Sequence, residues 1–111
     1  MEDLEKDFSE IASLFGDKSR AIMLWNLLDG RAYTSTELAT CAAISLQSAS
    51  NHLTKLLQKE ILTVAKQGRH RYYKLASPEV AQVIETMASL LAVQKDYKKI
   101  TKPKITPLTY A

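Results

Sequence analysis

Between Gly68 and Leu75 the chain reads GRHRYYKL, with two arginines, a lysine, a histidine and two tyrosines in eight residues. Cations gathered this closely suit the neutralisation of phosphate. Upstream, Gln47, Ser48, Ser50 and Asn51 bring small amides and hydroxyls together. Groups of that size can approach a base edge and hydrogen-bond to it, whereas long charged side chains mostly meet phosphates. An edge strand kept soluble by its charges would look much like the first stretch. Which reading holds depends on the elements around it.

Other chemistries find little support. No nucleophile is paired with a base, and Thr34, Ser35, Thr36 and Ser45 read as helix caps, so no catalysis is expected. Cys41 is the single cysteine, which rules out an internal disulfide, and a lone cysteine is most often a small buried hydrophobe. The acidic start Met1-Glu2-Asp3-Leu4-Glu5 is unlike a signal peptide, and no apolar run approaches the ~20 residues that cross a bilayer. A cytoplasmic protein with no membrane partner is expected.

At 111 residues, 46% hydrophobic and 24% charged, the chain is long enough for one globular domain. Its net charge of +3 is unevenly spread. Residues 1–17 carry six acids against Lys6 alone, and residues 47–75 carry six lysines and arginines against Glu60 alone. A positive face for a polyanion, with the acidic end held away from it, fits that segregation.

Periodicity supplies the elements. Leu4, Phe8, Ile11 and Phe15 mark an amphipathic helix over 3–15, ended by Gly16, with Asp17 able to cap the next. In that second helix Ala21, Leu24, Trp25 and Leu28 share a face, and Gly30 stops it. Thr34 or Ser35 caps a short third helix through Cys41, and Ala42-Ala43-Ile44 makes a tight connection. Ser45 caps a fourth helix, 46–59, whose Leu46, Ala49, Leu53, Leu56 and Leu57 face a core while Gln47, Ser48, Asn51 and Lys55 face outward. Ile61–Val64 reads as a strand, Gln67-Gly68-Arg69 as a turn, and His70–Leu75 as the returning strand, with Tyr73 and Leu75 inward and Lys74 outward. Arg71 falls on the side of Tyr73 and is expected beyond the core edge, its guanidinium free. After Pro78 a long last helix carries Val80, Val83, Ile84, Met87, Leu90 and Leu91, a stripe too wide for the surface of a monomer. Lysines and prolines dominate beyond Gln94. Residues 1–94 are expected to form a DNA-binding and dimerisation domain, and 95–111 a basic linker or tail leading toward a further C-terminal segment.

Two helices, a helix–turn–helix, a basic hairpin and a last helix give a mainly α fold with a small β-hairpin, the winged helix-turn-helix order. GRHRYYKL is then the wing, with Arg69 near its tip.

At this point the sequence resembles the ArsR-type (arsenic-repressor-like) family of bacterial winged-helix transcriptional regulators. The resemblance spans about residues 8–94 and rests on DKSRAIMLWNLL, STELATCAAISLQSASNHLTKLLQKEIL and QGRHRYYKL. It implies a homodimer that binds double-stranded operator DNA, usually as a repressor, and dimerises through its first and last helices. On the matching positions it implies major-groove contacts by Gln47, Ser48, Ser50 and Asn51, and wing contacts by Arg69, His70 and Arg71 over residues 67–75. Arg20 and Lys55 would touch phosphates, and His52, at the border of the core stripe, would meet a phosphate or a structural partner. Leu4, Phe8, Ile11, Val80, Val83, Ile84, Met87 and Leu91 would form the dimer interface. Metal-sensing members of the family carry Cys-x-Cys after Glu-Leu in the third helix, or Asp and His on the last. This chain has only Cys41 in the first pattern and no histidine on the last helix, so neither metal nor cofactor is expected. A winged helix that binds protein, or a DNA-targeting part of a larger protein, is the alternative.

Overall fold

A computed structural model describes residues 3–99, with side chains through residue 94. The chain divides into two compact units, Met1–Ser77 and Pro78–Ala111.

In the first unit, α1 (Leu4–Gly16) and α2 (Lys18–Asn26) are each opened by an aspartate. The Asp3 carboxylate accepts from the Lys6 backbone N–H, and that of Asp17 from the Arg20 N–H, so each satisfies an otherwise orphaned donor. A 3-10 turn, Leu27–Asp29, leads to Gly30, whose left-handed φ of 83° ends the helical run. Then come β1 (Tyr33–Thr34), α3 (Ser35–Ala42), α4 (Leu46–Gln58), β2 (Leu62–Gln67) and β3 (His70–Leu75). The core between them is sealed by Met23, Leu24, Leu27, Leu38, Leu53 and Leu56.

β1 was not expected. It is two residues long, too short to show a period, and pairs with β3 so that Tyr33 lies opposite Tyr73 and Thr34 opposite Tyr72. The sheet order is β1-β3-β2, which anchors the wing hairpin at its base. The corner before β1 is held by Asp29, which accepts from the Tyr33 hydroxyl and from Arg31 Nε at 3.1 Å. The hydroxyl hydrogen bond, the largest cause, holds the Asp29 carboxyl below its usual range.

The second helix corrects one expectation. Met23, Leu24 and Leu27 are buried, whereas Ala21 is exposed and Trp25 is 54% exposed. The inward row follows Arg20, Met23, Leu24 and Leu27, at i, i+3, i+4 and i+7. It turns the indole outward.

The second unit is α5 (Pro78–Lys99). The helix runs past the change of composition after Gln94, so residues 95–99 are helical. Of the linker or tail expected over 95–111, the remainder, residues 100–111, lies outside the described residues. Val80 and Ile84, one turn apart, are buried within the single chain. The exposed row is Val83, Met87, Leu90 and Leu91.

Ala43, between α3 and α4, sits in the left-handed region at φ 56° and ψ 46°. A side chain there costs about 1–2 kcal/mol, part of which a glycine returns through its freer unfolded state. Ala43→Gly should therefore raise stability by about 0.5–1 kcal/mol, seen as a higher urea midpoint at unchanged slope.

Candidate nucleic-acid interface

The α3–α4 corner is fixed at both ends. Thr34 Oγ1 accepts from the Glu37 N–H at 3.2 Å while Glu37 Oε1 accepts from the Thr34 N–H at 2.9 Å, a complete capping box. At the other end the Ile44 N–H returns to the Ala39 carbonyl at 3.0 Å and the Ala43 N–H to that of Thr40. Ser45 Oγ then accepts from the Ser48 N–H at 3.0 Å and opens α4 at once. Three residues separate the helices, so the crossing has little freedom.

Ala49, Leu53 and Leu56 bury one side of α4. Gln47, Asn51 and Lys55 are exposed on the other, with Ser48 and Ser50 half-buried at its flanks. Gln47 Nε2 donates to Asn51 Oδ1 at 3.3 Å, tying the two amides together along the helix. No carboxylate lies on α4. Leu46 departs from expectation: assigned to the core stripe, it is 52% exposed. As the first helical residue after the Ser45 cap, it precedes the part of α4 that has packing on that side.

The wing is built by register. Gln67 pairs with His70, leaving Gly68 and Arg69 as a two-residue loop. Gly68 has φ 60° and Arg69 is not in the left-handed region, as a type II′ turn requires. One rung in, Lys66 lies directly opposite Arg71, and then Val64 opposite Tyr73. Tyr73 is buried and Arg71 exposed, so the inward face ends between them. Like charges set directly opposite destabilise a hairpin by about 0.2–1 kcal/mol. No carboxylate stands within ion-pair distance of Lys66, Arg69 or Arg71 among the described residues. Lys66 was absent from the candidates expected by sequence. Counting back from Gly68 across a two-residue turn would have found it.

Arg20 and His52 do not stand open to solvent. Arg20 Nε donates to the Leu14 carbonyl at 2.9 Å and Nη2 to that of Ser13 at 3.3 Å, while Nη1 meets His52 Nδ1 at 2.9 Å. A guanidinium only donates, so Nδ1 accepts and the imidazole proton sits on Nε2, 3.7 Å from Asp17 Oδ2. The Arg20 backbone N–H is the largest cause holding the Asp17 carboxyl below its usual range, against burial and with help from the Arg20 charge. Arg20, expected at a phosphate, and His52, expected at a phosphate or a structural partner, together clamp the end of α1 and the start of α2 to α4. Arg20→Ala should remove three charge-assisted bonds and cost about 1.5–3 kcal/mol, measured by urea unfolding. A second tie, Lys59 Nζ to Glu10 Oε1 at 3.0 Å, joins the C-terminal end of α4 to α1 on the surface.

Among the described residues no group of three histidines, cysteines or acids could hold a metal, and no helix is long and apolar enough to cross a membrane. Cys41 is half-buried.

The chain matches no family model. It is 45% identical over 84 residues, 76% of its length, to YdfF of Bacillus subtilis (strain 168), an uncharacterized HTH-type transcriptional regulator. Those residues span only 37% of that relative. Its fold matches the homodimeric winged helix-turn-helix DNA-binding domain of Mb0332 from Mycobacterium bovis, a possible ArsR-family regulator. The TM-score is 0.76 at 19% identity, over 85% of this chain and 86% of that one. The antimony-specific transcriptional repressor AntR matches with a TM-score of 0.68 at 25% identity, over 86% of this chain and 90% of that one. With the helix–turn–helix, the hairpin wing and their sequence in agreement, the chain has the winged helix-turn-helix fold and is similar to HTH-type transcriptional regulators.

Proposed function

We propose that the chain binds operator duplex as a homodimer and represses transcription in the bacterial cytoplasm. The two α4 helices enter successive major grooves, with half-sites about 10 base pairs apart or a multiple of that. Gln47, Ser48, Ser50 and Asn51 meet base edges, and Lys55 and His70 approach the backbone. Arg69 and Arg71, with Lys66, hold phosphates or a narrow minor groove. Residues 1–94 serve DNA binding and dimerisation, with the basic stretch after Gln94 as a link.

The observation that carries this reading is the Lys66–Arg71 rung with Arg69 at the tip. Three cations without a carboxylate partner oppose hairpin formation, and a polyanion would neutralise them. A protein-binding winged helix has no need of such an arrangement. The homodimeric, DNA-binding state of the Mycobacterium bovis domain and the repressor role of AntR support the same reading. So do two apolar rows that the single chain leaves uncovered, Leu4, Phe8 and Ile11 on α1 and Val83, Met87, Leu90 and Leu91 on α5.

The test is fluorescence anisotropy of labelled random duplex across salt concentrations. Affinity should fall linearly in log–log form, by about 0.9 per phosphate contact. Affinity independent of salt between 50 and 200 mM (roughly the range in which such contacts are lost) would remove the proposal.

A further inference from the structure

The first two turns of α4 carry an unusual set of exposed groups for a base-reading helix. Leu46 presents its methyl groups at 52% exposure on the first helical residue, directly before Gln47 in the chain. Between Ile44 and Lys59 the only charged residues are Lys55 and Lys59, both in the last turns. The groups that read guanine, an arginine or lysine paired with O6 and N7, are therefore missing from the part of the helix that enters a groove first. So is the carboxylate that would accept from cytosine N4.

What remains has a definite complement. A carboxamide pairs with adenine by accepting from N6 and donating to N7. The bond from Gln47 Nε2 to Asn51 Oδ1 does not exhaust either amide. Gln47 keeps Oε1 and its second Nε2 hydrogen, and Asn51 keeps Nδ2 and a lone pair on Oδ1. The bond ties the two side chains to each other along the helix before DNA arrives. An exposed leucine at the head of the same helix has no polar partner to offer. In the major groove its only favourable contact is the thymine C5 methyl, which no other base pair presents.

We infer that Leu46 reads a thymine methyl group while Gln47 and Asn51 read adenine edges beside it, so that each half-site is built on A·T pairs at the positions under the first two turns of α4. This inference rests on the duplex-binding reading above and assigns its sequence preference. Leu46 is the residue that sets one position of that preference. Its exposure has a cost in water, and a thymine methyl removes it.

The experiment starts from duplexes selected by the protein from a random pool. Each thymine of the selected half-site is then replaced by uracil, which deletes the C5 methyl and leaves every hydrogen-bonding group intact. Burying one methyl group corresponds to about a fourfold change in binding. One uracil position should therefore weaken the wild-type protein about fourfold. For Leu46→Ala, thymine and uracil should bind alike at that position while the adenine preferences persist. Selection of G·C pairs under α4, neutral uracil substitution at every position, or a uracil penalty that survives in Leu46→Ala would overturn the inference while leaving duplex binding in place. Failure to retain any duplex at low salt would be a different result, removing the duplex-binding reading itself and this inference with it.

Discussion

Replacing Val83 and Met87 together by glutamate should convert the protein to a monomer. Both side chains are more than two-fifths exposed on α5 and lie one turn apart, whereas Val80 and Ile84 are already buried in the single chain. The substitutions should therefore leave the fold intact and act on assembly alone. In a two-fold interface each occurs twice, so four apolar side chains are lost and four charges gained. At the low end of about 1.5 kcal/mol per buried side chain, dimerisation loses roughly 6 kcal/mol, or roughly four decades in dissociation constant. Operator affinity should fall with it, because a monomer grips one half-site only. Sedimentation at micromolar concentration reads the outcome. A wild-type monomer there would refute the interface, and so would a double variant that stays dimeric.

Replacing Lys66, Arg69 and Arg71 together by alanine should separate stability from function. The direct Lys66–Arg71 opposition is removed, so the hairpin should gain up to about 1 kcal/mol. DNA binding should move the other way. With about 0.9 log–log units per phosphate contact and two wings in a dimer, the salt dependence should flatten by up to about five units. Base preference under α4 should be unchanged, since the proposed wing contacts are to phosphates or the minor groove. If thermal stability fell while the salt slope stayed the same, the three cations would serve the fold and not a polyanion.

The sequence revealed the parts of the interface with local signals. Ser45 marks the start of α4 by its cap, and Gly68 fixes the wing turn and with it the register that sets Lys66 against Arg71. It did not reveal what depends on distant packing. Arg20 and His52 are 32 residues apart, and nothing local says that each is the other's partner. For that reason Arg20 was expected at a phosphate, and the structural partner open to His52 went unnamed. On α5 two apolar rows run side by side, and only burial divides Val80 and Ile84 from Val83 and Met87. Trp25 misled in a similar way, because α2 also carries two apolar rows and the one with Met23, Leu24 and Leu27 faces inward. Leu46 fell on the core side of a helical projection that takes no notice of where packing ends. The two-residue strand β1 carries no period at all, and only its pairing with β3 defines it.

The most direct measurement is the affinity of the protein for a duplex selected from a random pool, set against a scrambled duplex of equal length at near-physiological salt. An operator-binding protein of this design should prefer the selected duplex by about 10³-fold or more, with protection of two half-sites about one helical turn or a whole number of turns apart. Equal affinity for both duplexes, or none for either, would contradict sequence-specific recognition by α4.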